Sequence, residues 1–288
     1  MSHDPAEQVV RIALLACAVV SIAGILLIAV FISAPGLPLI MRVGPLSFLS
    51  GTVWAPTSGK FGILPMIVGS MVVAAGCLFL AIPCGIACAI YLAEFAPEGF
   101  GRAVRLALGV LAGIPSVVYG FYGLVVIVPI IRETFGGSGL SVLAGSLVLA
   151  IMVLPTIATI SEDAIKAVPD EYREGSMALG ATRWETVSRV IVPAARSGIT
   201  ASIVLGMGRA IGETMALIMV TGNAPRFPAK ITDMVRTLTG NVALEMGYAA
   251  GDHQKALLAT GLVLLVFIMI LNWIAVAVSK AGDRHEKA

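Results

Sequence analysis

The chain has 288 residues, of which 58% are hydrophobic and only 12% charged, and its mean hydropathy is +0.97. This composition excludes a water-soluble globular domain. A net charge of +2, with no basic run that alternates with aromatic residues, gives no sign of nucleic-acid binding. The cysteines form no C-x-x-C pair and the histidines lie in polar segments or tails, so we expect neither a disulfide framework nor a metal site.

Six apolar segments are long enough to cross a bilayer as helices, which takes about 20 residues each. All of them except the fifth are free of charge. The first is longer than a signal-peptide core and lacks a small-x-small cleavage site, so we expect it to be retained. An all-α, polytopic membrane protein with six transmembrane helices is therefore predicted. The six segments are residues 12–34, 65–92, 106–130, 141–160, 197–221 and 256–279.

The positive charges predict the orientation of these spans. Apart from Arg209, the 19 Lys and Arg residues divide 11 to 7 in favour of the side that holds both termini. Because cytoplasmic loops are enriched in Lys and Arg, we expect both termini to be cytoplasmic. The predicted organisation is a single transmembrane domain between two short cytoplasmic tails. Its parts are a tail at 1–11, the domain at 12–280 with a core at about 65–280, outer loops at 34–64 and 222–255, and a tail at 281–288.

Two stretches between or within spans suggest local structure. In the second outer loop, Ile231, Met234, Val235 and Leu238 recur at helical spacing, which predicts a short amphipathic helix at the surface. The stretch GIPSVVYGFYG, residues 113–123, is rich in glycine and proline. We expect it either to pack closely against a neighbour or to face a pathway.

The longest cytoplasmic connection is predicted to form two short helices. Asp170 follows Pro169 and can cap the first helix, Gly180 can end it, and Pro193 ends the second. Periodicity alone is equally consistent with an amphipathic helix pair that lies on the membrane surface. The spacing of small residues, glycine and proline in this connection is more specific than its periodicity.

That spacing matches the pattern E-A-A-x3-G-x9-I-x-L-P, with Val190 and Val192 in place of Ile and Leu. The connection, residues 161–196, thereby resembles the EAA loop of permease subunits of type I ABC importers. The resemblance implies that the first short helix docks in a groove on a nucleotide-binding subunit, and that Gly180 makes the sharp turn. The matching positions are Glu174, Gly175, Ser176, Gly180 and Pro193.

The resemblance also implies a MetI-like bundle of helices that does not hydrolyse ATP itself. The chain contains no G-x4-G-K-[ST] sequence, so it has no P-loop of its own. We therefore expect no cofactor on this chain, with ATP and magnesium held by a separate ATPase.

Arg209 and Glu213 are two charges within the fifth apolar segment. Four residues apart on a helix, they would share one face, beside the G-x-x-x-G formed by Gly208 and Gly212. A charge at mid-membrane costs about 2.5–3.5 kcal/mol, so neither side chain should face lipid. An internal salt bridge that fixes helix packing is one interpretation. The other is a substrate pathway in which Arg209 binds a passing oxyanion and Glu213 orients or neutralises the arginine between passages.

The stretch LGMGRAIGETMALIMVTGN around this pair is similar to the corresponding helix of permeases of the phosphate-specific transport (Pst) system. The outer segments 47–70 and 222–247 look like the PstC type rather than the PstA type. The resemblance implies a phosphate importer in the inner membrane, in which this chain pairs with a PstA-like permease. It further implies a PstB-like ATPase dimer on the cytoplasmic side and a PstS-like binding protein outside.

Three other functions remain open from the sequence. A permease for molybdate, tungstate or sulfate would use the same arginine, and a PstA-type subunit would share much of the pattern. A proton-coupled carrier could use Arg209 and Glu213 as a relay, but it has no need of an EAA loop. A membrane-bound enzyme is disfavoured because, beyond Glu213, the spans offer no nucleophile–base set.

Overall fold

The computed structural model describes the backbone of residues 5–284 and the side chains of residues 8–274. This part of the chain is helical apart from loops and one antiparallel hairpin, in which Trp54 pairs with Phe61. The strands are β1 (Trp54–Ala55) and β2 (Lys60–Phe61). The helices are α1 (Pro5–Val43), α2 (Pro45–Ser50), α3 (Leu64–Ile90), α4 (Glu98–Gly113), α5 (Ser116–Tyr122), α6 (Val128–Phe135), α7 (Val142–Lys166), α8 (Asp170–Ala178), α9 (Arg183–Thr186), α10 (Val192–Ala194), α11 (Arg196–Gly212), α12 (Met215–Val220), α13 (Leu238–Glu245) and α14 (Asp252–Arg284).

Up to six helical stretches could cross a membrane. Five qualify by length and hydropathy, and a sixth does if the pair Arg183–Ala194 and Arg196–Gly212, bent by 67°, counts as one span. The prediction of an all-α polytopic protein is confirmed. The other five stretches are Gln8–Val43, Leu64–Phe95, Ser116–Phe135, Val142–Lys166 and Asp252–Ile274. Of the two predicted tails, 1–11 and 281–288, residues 1–4 and 285–288 lie outside the described backbone.

Helices α3 and α7 form the centre of the bundle and run in the same direction. Ser146 of α7 donates a hydrogen bond to the carbonyl of Val73 on α3, and further along Ile157 packs on Gly85. The glycines of α3 allow this close approach, because a Cβ on Gly76 would lie 2.4 Å from the Ser146 hydroxyl. Buried residues of α5, α11 and α12 complete the same core cluster.

The two ends of α3 define the two ends of the bundle. Its first residue follows the β1–β2 hairpin, and the π-helical segment Tyr91–Phe95, which continues α3 in the same span, contacts α8. We call these the hairpin end and the α8 end. Helix α1 crosses α14 at a tight point, where a Cβ on Gly36 would lie 3.0 Å from the Ala259 backbone. Most of the first half of α1 is exposed, as expected for a helix surrounded by lipid.

The prediction of one continuous third span over 106–130 is wrong. Residues 106–113 belong to α4, and the span begins at Ser116. Pro115 explains the break, because its ring excludes the helical conformation from the preceding residue, and Ile114 is extended with ψ 130°. Periodicity could not reveal this boundary, since apolar residues continue across it.

The fifth predicted span, 197–221, is also interrupted. Helix α11 ends at Gly212 and α12 begins at Met215. The structure instead joins α11, through a 67° bend near Ala195, to the residues 183–194 that precede it.

The predicted amphipathic helix at Ile231–Leu238 is absent from the described backbone, and α13 begins where it was expected to end. Residues in the preceding loop instead bond to transmembrane helices: Leu143 and Val142 of α7 donate to the carbonyls of Ile231 and Asp233. Thr237 caps α13 through its hydroxyl, which accepts from the Gly240 amide at 3.1 Å. The segment 222–251 therefore folds back onto the hairpin end of the bundle; we call it the outer cap, after the side of the membrane predicted for it.

Candidate substrate pathway and coupling surface

The break between α11 and α12 is the central feature of the candidate pathway. Glu213 is extended, with φ −68° and ψ 136°, and its carboxylate accepts a hydrogen bond from the Ala216 amide at 3.2 Å. Its side chain therefore accepts from one of the amides in the first turn of α12 that have no partner within that helix. Glycines lower the helix propensity at this point, since Gly208 and Gly212 precede the break. Broken backbone at membrane depth is tolerated where it is buried in protein or lines a cavity.

This geometry corrects the expected arrangement of the two charges. Arg209 lies in the last turn of α11, whereas Glu213 lies beyond the end of that helix, so the two do not share a helical face. Within the side chains described, 8–274, Arg209 makes no hydrogen bond or ion pair, with Glu213 or with any other residue. The internal salt bridge considered from the sequence is therefore not formed in this structure.

Arg209 is exposed on the surface of the single chain. Space is open around the adjacent glycines, because a Cβ on Gly208 or Gly212 would meet no atom within 4 Å. A guanidinium is always charged and cannot be left facing hydrocarbon without a large cost. The position requires water, an anion or another subunit beside it.

The outer cap contacts the break between α11 and α12 from the hairpin end of the bundle. Thr239 donates a hydrogen bond of 2.8 Å to the carbonyl of Glu213, one of the groups freed where α11 ends. Sequence reasoning missed this contact and placed no functional residue in α13. The available signal was Thr237, a good N-cap residue directly before the apolar start of a helix.

Helix α5 packs against α12 next to the break. A Cβ on Gly120 would lie 2.8 Å from the Ala216 Cα, and one on Gly123 would lie 2.5 Å from a Val148 methyl group. Of the two expectations for residues 113–123, close packing holds at Gly120 and Gly123, whereas a Cβ on Gly113 would meet no atom within 4 Å. The exposed side chains of α5, among them Val117, Phe121 and Tyr122, extend the apolar surface of the chain on this helix.

A buried polar cluster fastens the outer cap to the β hairpin. The Glu245 carboxylate accepts hydrogen bonds from the Trp54 indole at 2.8 Å and from Arg236, and it lies 2.8 Å from His253 Nε2. Burial by itself raises the pKa of this carboxyl, but the hydrogen bonds from Trp54, His253 and Arg236 outweigh it and lower the pKa below 4.5. Glu245 thus stays ionised and joins loops that are far apart in sequence.

The connection 161–196, which we call the coupling loop after the resemblance noted above, has the two short helices predicted from the sequence. Pro169, rather than Asp170, is the N-cap of α8, and Gly180 follows the helix with φ +89°. The second helix, α9, begins with a capping box between Thr182 and Glu185. Pro193 lies in α10, directly before the 67° bend.

The EAA-like residues divide between exposed and fixed positions. Glu174 and Gly175 are exposed, whereas the Ser176 hydroxyl lies 2.9 Å from that of Thr186 and ties α8 to α9. Large apolar side chains are also exposed around them: Leu179 has 92% of its surface accessible, and Trp184 has 61%. Apolar residues so exposed on a polar loop are typical of a protein interface.

Replacing Gly180 with alanine is expected to destabilise α8 by about 1–2 kcal/mol, because a left-handed backbone is strained for any residue with a Cβ. No atom lies within 4 Å of a Cβ at this position, so the cost comes from the backbone alone. Amide hydrogen exchange across α8 measures the effect. Gly175→Ala is the matched control, since it also has open space and lies within the helix; equal exchange in both variants would contradict the assignment of Gly180 as the turn.

Comparison with known proteins identifies the family. The family described as "Binding-protein-dependent transport system inner membrane component" matches residues 81–281, which include the broken helix and the coupling loop. The chain belongs to this family. It is therefore a multi-pass inner-membrane subunit of a transport system.

Relatives in this family cover most of the chain. The probable ABC transporter permease YqgH of Bacillus subtilis is 42% identical over 92% of this chain and 89% of its own length. The phosphate transport system permease PstC of Mesorhizobium japonicum is 36% identical over 80% of this chain and 76% of its own length. PstC of Haemophilus influenzae is 36% identical over 78% of this chain and 79% of its own length.

Solved structures confirm the MetI-like importer bundle. A chain of the inward-facing methionine transporter MetNI aligns with a TM-score of 0.60 and 18% identity, over 80% of this chain and 99% of its own. A chain of a bacterial alginate importer aligns with a TM-score of 0.63 and 14% identity, over 96% of this chain and 98% of its own. At these identities the likeness establishes the fold alone.

Proposed function

We propose that this chain is the permease subunit of an ATP-driven importer that moves inorganic phosphate across the cytoplasmic membrane. The observation that carries the proposal is Arg209, an exposed and unpaired arginine beside a broken helix, within the described part of a chain that belongs to a binding-protein-dependent transport family. The names of its PstC relatives support phosphate as the substrate.

Arg209 binds phosphate in transit in this proposal. Its guanidinium presents a planar set of N–H donors that matches the oxygen atoms of phosphate and can bond two of them at once. Glu213 is one residue beyond the helix end and is fixed to the Ala216 amide, so it limits how long the anion stays by adding a negative charge nearby. A pathway must release its substrate as well as bind it.

The pathway is completed by a second, PstA-like permease. Arg209 is exposed in the single chain, and a charged side chain at membrane depth needs a protein or water environment. A heterodimer whose two permeases enclose the broken helix supplies both. A PstS-like binding protein delivers phosphate at the hairpin end.

The coupling loop is the docking site for a PstB-like ATPase dimer. Its exposed residues Glu174, Gly175, Leu179 and Trp184 form the contact surface, and the small side chain of Gly175 allows close approach. The α8 end and both termini face the cytoplasm, in line with the excess of Lys and Arg on that side. ATP hydrolysis takes place on the ATPase, which holds ATP and magnesium.

Uptake into proteoliposomes tests this function. The complex of this chain with its partner permease and ATPase, supplied with binding protein outside and ATP inside, is expected to accumulate labelled phosphate. Unlabelled sulfate and molybdate should not compete at equal concentration. Uptake of sulfate or molybdate in place of phosphate, or phosphate uptake driven by a proton gradient without ATP, would show that the proposal is wrong.

A further inference from the structure

A largely buried ion pair joins the coupling loop to the π-helical segment that continues α3. The Glu94 carboxylate accepts two hydrogen bonds from the Arg173 guanidinium, at 2.7 Å from Nη2 and 3.1 Å from Nε. Only 8% of the Glu94 side chain and 18% of the Arg173 side chain are exposed. Both bonds end on the same oxygen, Glu94 Oε1, and together they hold α8 against the end of the α3 span.

The same guanidinium also holds the end of α7. Arg173 donates to the carbonyls of Ile165 at 3.1 Å and Val168 at 2.8 Å, and it bonds the Asp170 carboxylate at 3.0 Å. The hydrogen bond with Glu94 raises the pKa of Arg173, so its charge is permanent. A single side chain of α8 thereby connects the ends of both central helices.

The second helix of the coupling loop is attached at the same place. Arg183 donates a hydrogen bond to the carbonyl of Glu94, and its guanidinium lies 5.1 Å from the centre of the Phe95 ring. Phe95 in turn packs against Trp184. Both halves of the loop therefore hold residues 94–95, and we call the pair Glu94–Arg173 with Arg183 the clamp.

The opposite end of α3 contacts the outer cap. Ser70 accepts a hydrogen bond of 2.9 Å from the Leu238 amide, and a Cβ on Gly69 would lie 2.7 Å from the Arg236 carbonyl. The cap in turn bonds the broken helix through Thr239 and Glu213. Helix α3 is therefore in direct contact with the coupling loop at one end and, at the other, with the segment that holds the break.

We propose that the clamp makes α3 move with the coupling loop, so that Glu94 and Arg173 are positioning residues that link the ATPase cycle to the outer cap. This inference rests on the proposed importer function. Separating the pair leaves a charge buried without its partner, which is costly, so α8 cannot shift without carrying the end of α3 along. The contacts of Ser70 and Gly69 pass that displacement to the cap and to Glu213.

The test measures two quantities in the reconstituted complex: retention of the ATPase subunit, and stimulation of ATP hydrolysis by loaded binding protein. Glu94→Gln removes the charge but keeps the shape of the side chain, and Arg173→Met removes the guanidinium. Both complexes are expected to retain the ATPase subunit and basal ATP hydrolysis. The stimulation of hydrolysis by loaded binding protein should fall about tenfold, within the usual range for coupling between sites. Glu171→Gln, an exposed carboxylate on the same helix, is the control and should be stimulated like the wild type.

Arg173→Lys is a second variant, which keeps the proposal testable if Arg173→Met fails to fold. Lysine keeps a positive charge beside Glu94, but it lacks the fork that reaches both central helices at once, so stimulation should fall while assembly stays normal. Wild-type stimulation in Glu94→Gln and Arg173→Lys would overturn the proposal. So would a loss of the ATPase subunit in proportion to the lost stimulation, which would make the clamp a docking support only.

Failure of the clamp and failure of the importer function are distinguishable. A wild-type complex that is stimulated by its binding protein but takes up no phosphate would contradict the proposed substrate and leave the clamp to be judged by stimulation alone. If the wild-type complex takes up phosphate and the variants are stimulated as strongly as the wild type, only the clamp proposal is contradicted.

Discussion

Phosphate uptake by the Arg209→Ala complex is expected to fall about 10- to 100-fold, while ATP hydrolysis by the attached ATPase continues. Hydrogen bonds to charged groups are worth about 1.5–3 kcal/mol, and each 1.4 kcal/mol is a factor of ten. Arg209 has no partner among the described side chains, so its removal breaks no internal ion pair and should not unfold the bundle. Vesicle uptake and ATP hydrolysis, measured on the same preparation, separate the two effects.

Two further variants define what Arg209 contributes. Arg102→Ala removes another exposed arginine, on α4, that has no hydrogen bond or ion pair within the described residues, and should transport normally. Arg209→Lys keeps the charge but loses the planar fork, so uptake should remain well below that of the wild type. Normal transport by Arg209→Lys, together with failed assembly of Arg209→Ala, would mean that the arginine only fixes the packing of the subunits.

Replacing Glu245 with alanine is expected to destabilise the protein by about 3 kcal/mol, at the lower end of the range for breaking a buried ion pair. The residue is only 7% exposed and joins Trp54, Arg236 and His253. The cost is not larger because Arg236 keeps the Asn223 carbonyl and the Asn241 side chain as acceptors. Thermal unfolding in detergent measures the loss, and hydrogen exchange should locate it in the outer cap.

Glu133→Ala is the matched control for Glu245, because Glu133 is an exposed carboxylate in the last turn of α6. It should change the unfolding temperature very little. An equal shift in both variants, or exchange in Glu245→Ala that rises at the α8 end instead of the cap, would contradict the role assigned to the cluster.

The same cluster predicts how stability depends on pH. The folded-state pKa of Glu245 lies below its unfolded value of 4.5, so its contribution is fully present above that pH and is lost as the pH falls through the lowered folded pKa. The wild type should therefore lose its advantage over Glu245→Gln on acidification below about pH 4.5. The other carboxylates are common to both proteins, so the difference between their unfolding curves isolates Glu245.

Sequence reasoning succeeded where the signal is local. Hydropathy predicted six spans, and the described residues contain five qualifying helices and one bent pair that can count as a sixth. The glycine and proline positions of the coupling loop predicted its two short helices and the turn at Gly180. These features depend on the residues within one segment: the length of an apolar run, or the need for a positive φ.

It failed where long-range contacts decide the structure. An unbroken helix through Glu213 was expected because nothing in LGMGRAIGETMALIMV forbids it, yet the carbonyl freed there is satisfied by Thr239, 26 residues further on. Val235 is buried in the main core, but the Ile231 side chain is 58% exposed and that residue contacts the bundle through its carbonyl, so the apolar spacing does not mark a helix. The clamp joins residues 79 positions apart, and no pattern in the sequence pairs Glu94 with Arg173.

In the proposed pathway phosphate passes Arg209, and a cysteine at position 212 is the sharpest probe of that passage. Gly212 is exposed with no atom within 4 Å of a Cβ, and it lies one turn from Arg209. The experiment uses a complex in which Cys17, Cys77, Cys84 and Cys88 are replaced and phosphate uptake is retained. Val30→Cys, on the exposed surface of α1, serves as a control that faces lipid and should not react.

During turnover, a membrane-impermeant thiol reagent is expected to label Gly212→Cys, and phosphate delivered by the binding protein should slow that labelling whereas chloride should not. Such protection would place phosphate beside Arg209. Labelling at a rate that phosphate leaves unchanged, or no labelling at any stage of the ATPase cycle, would contradict the claim that the broken helix lines the phosphate pathway.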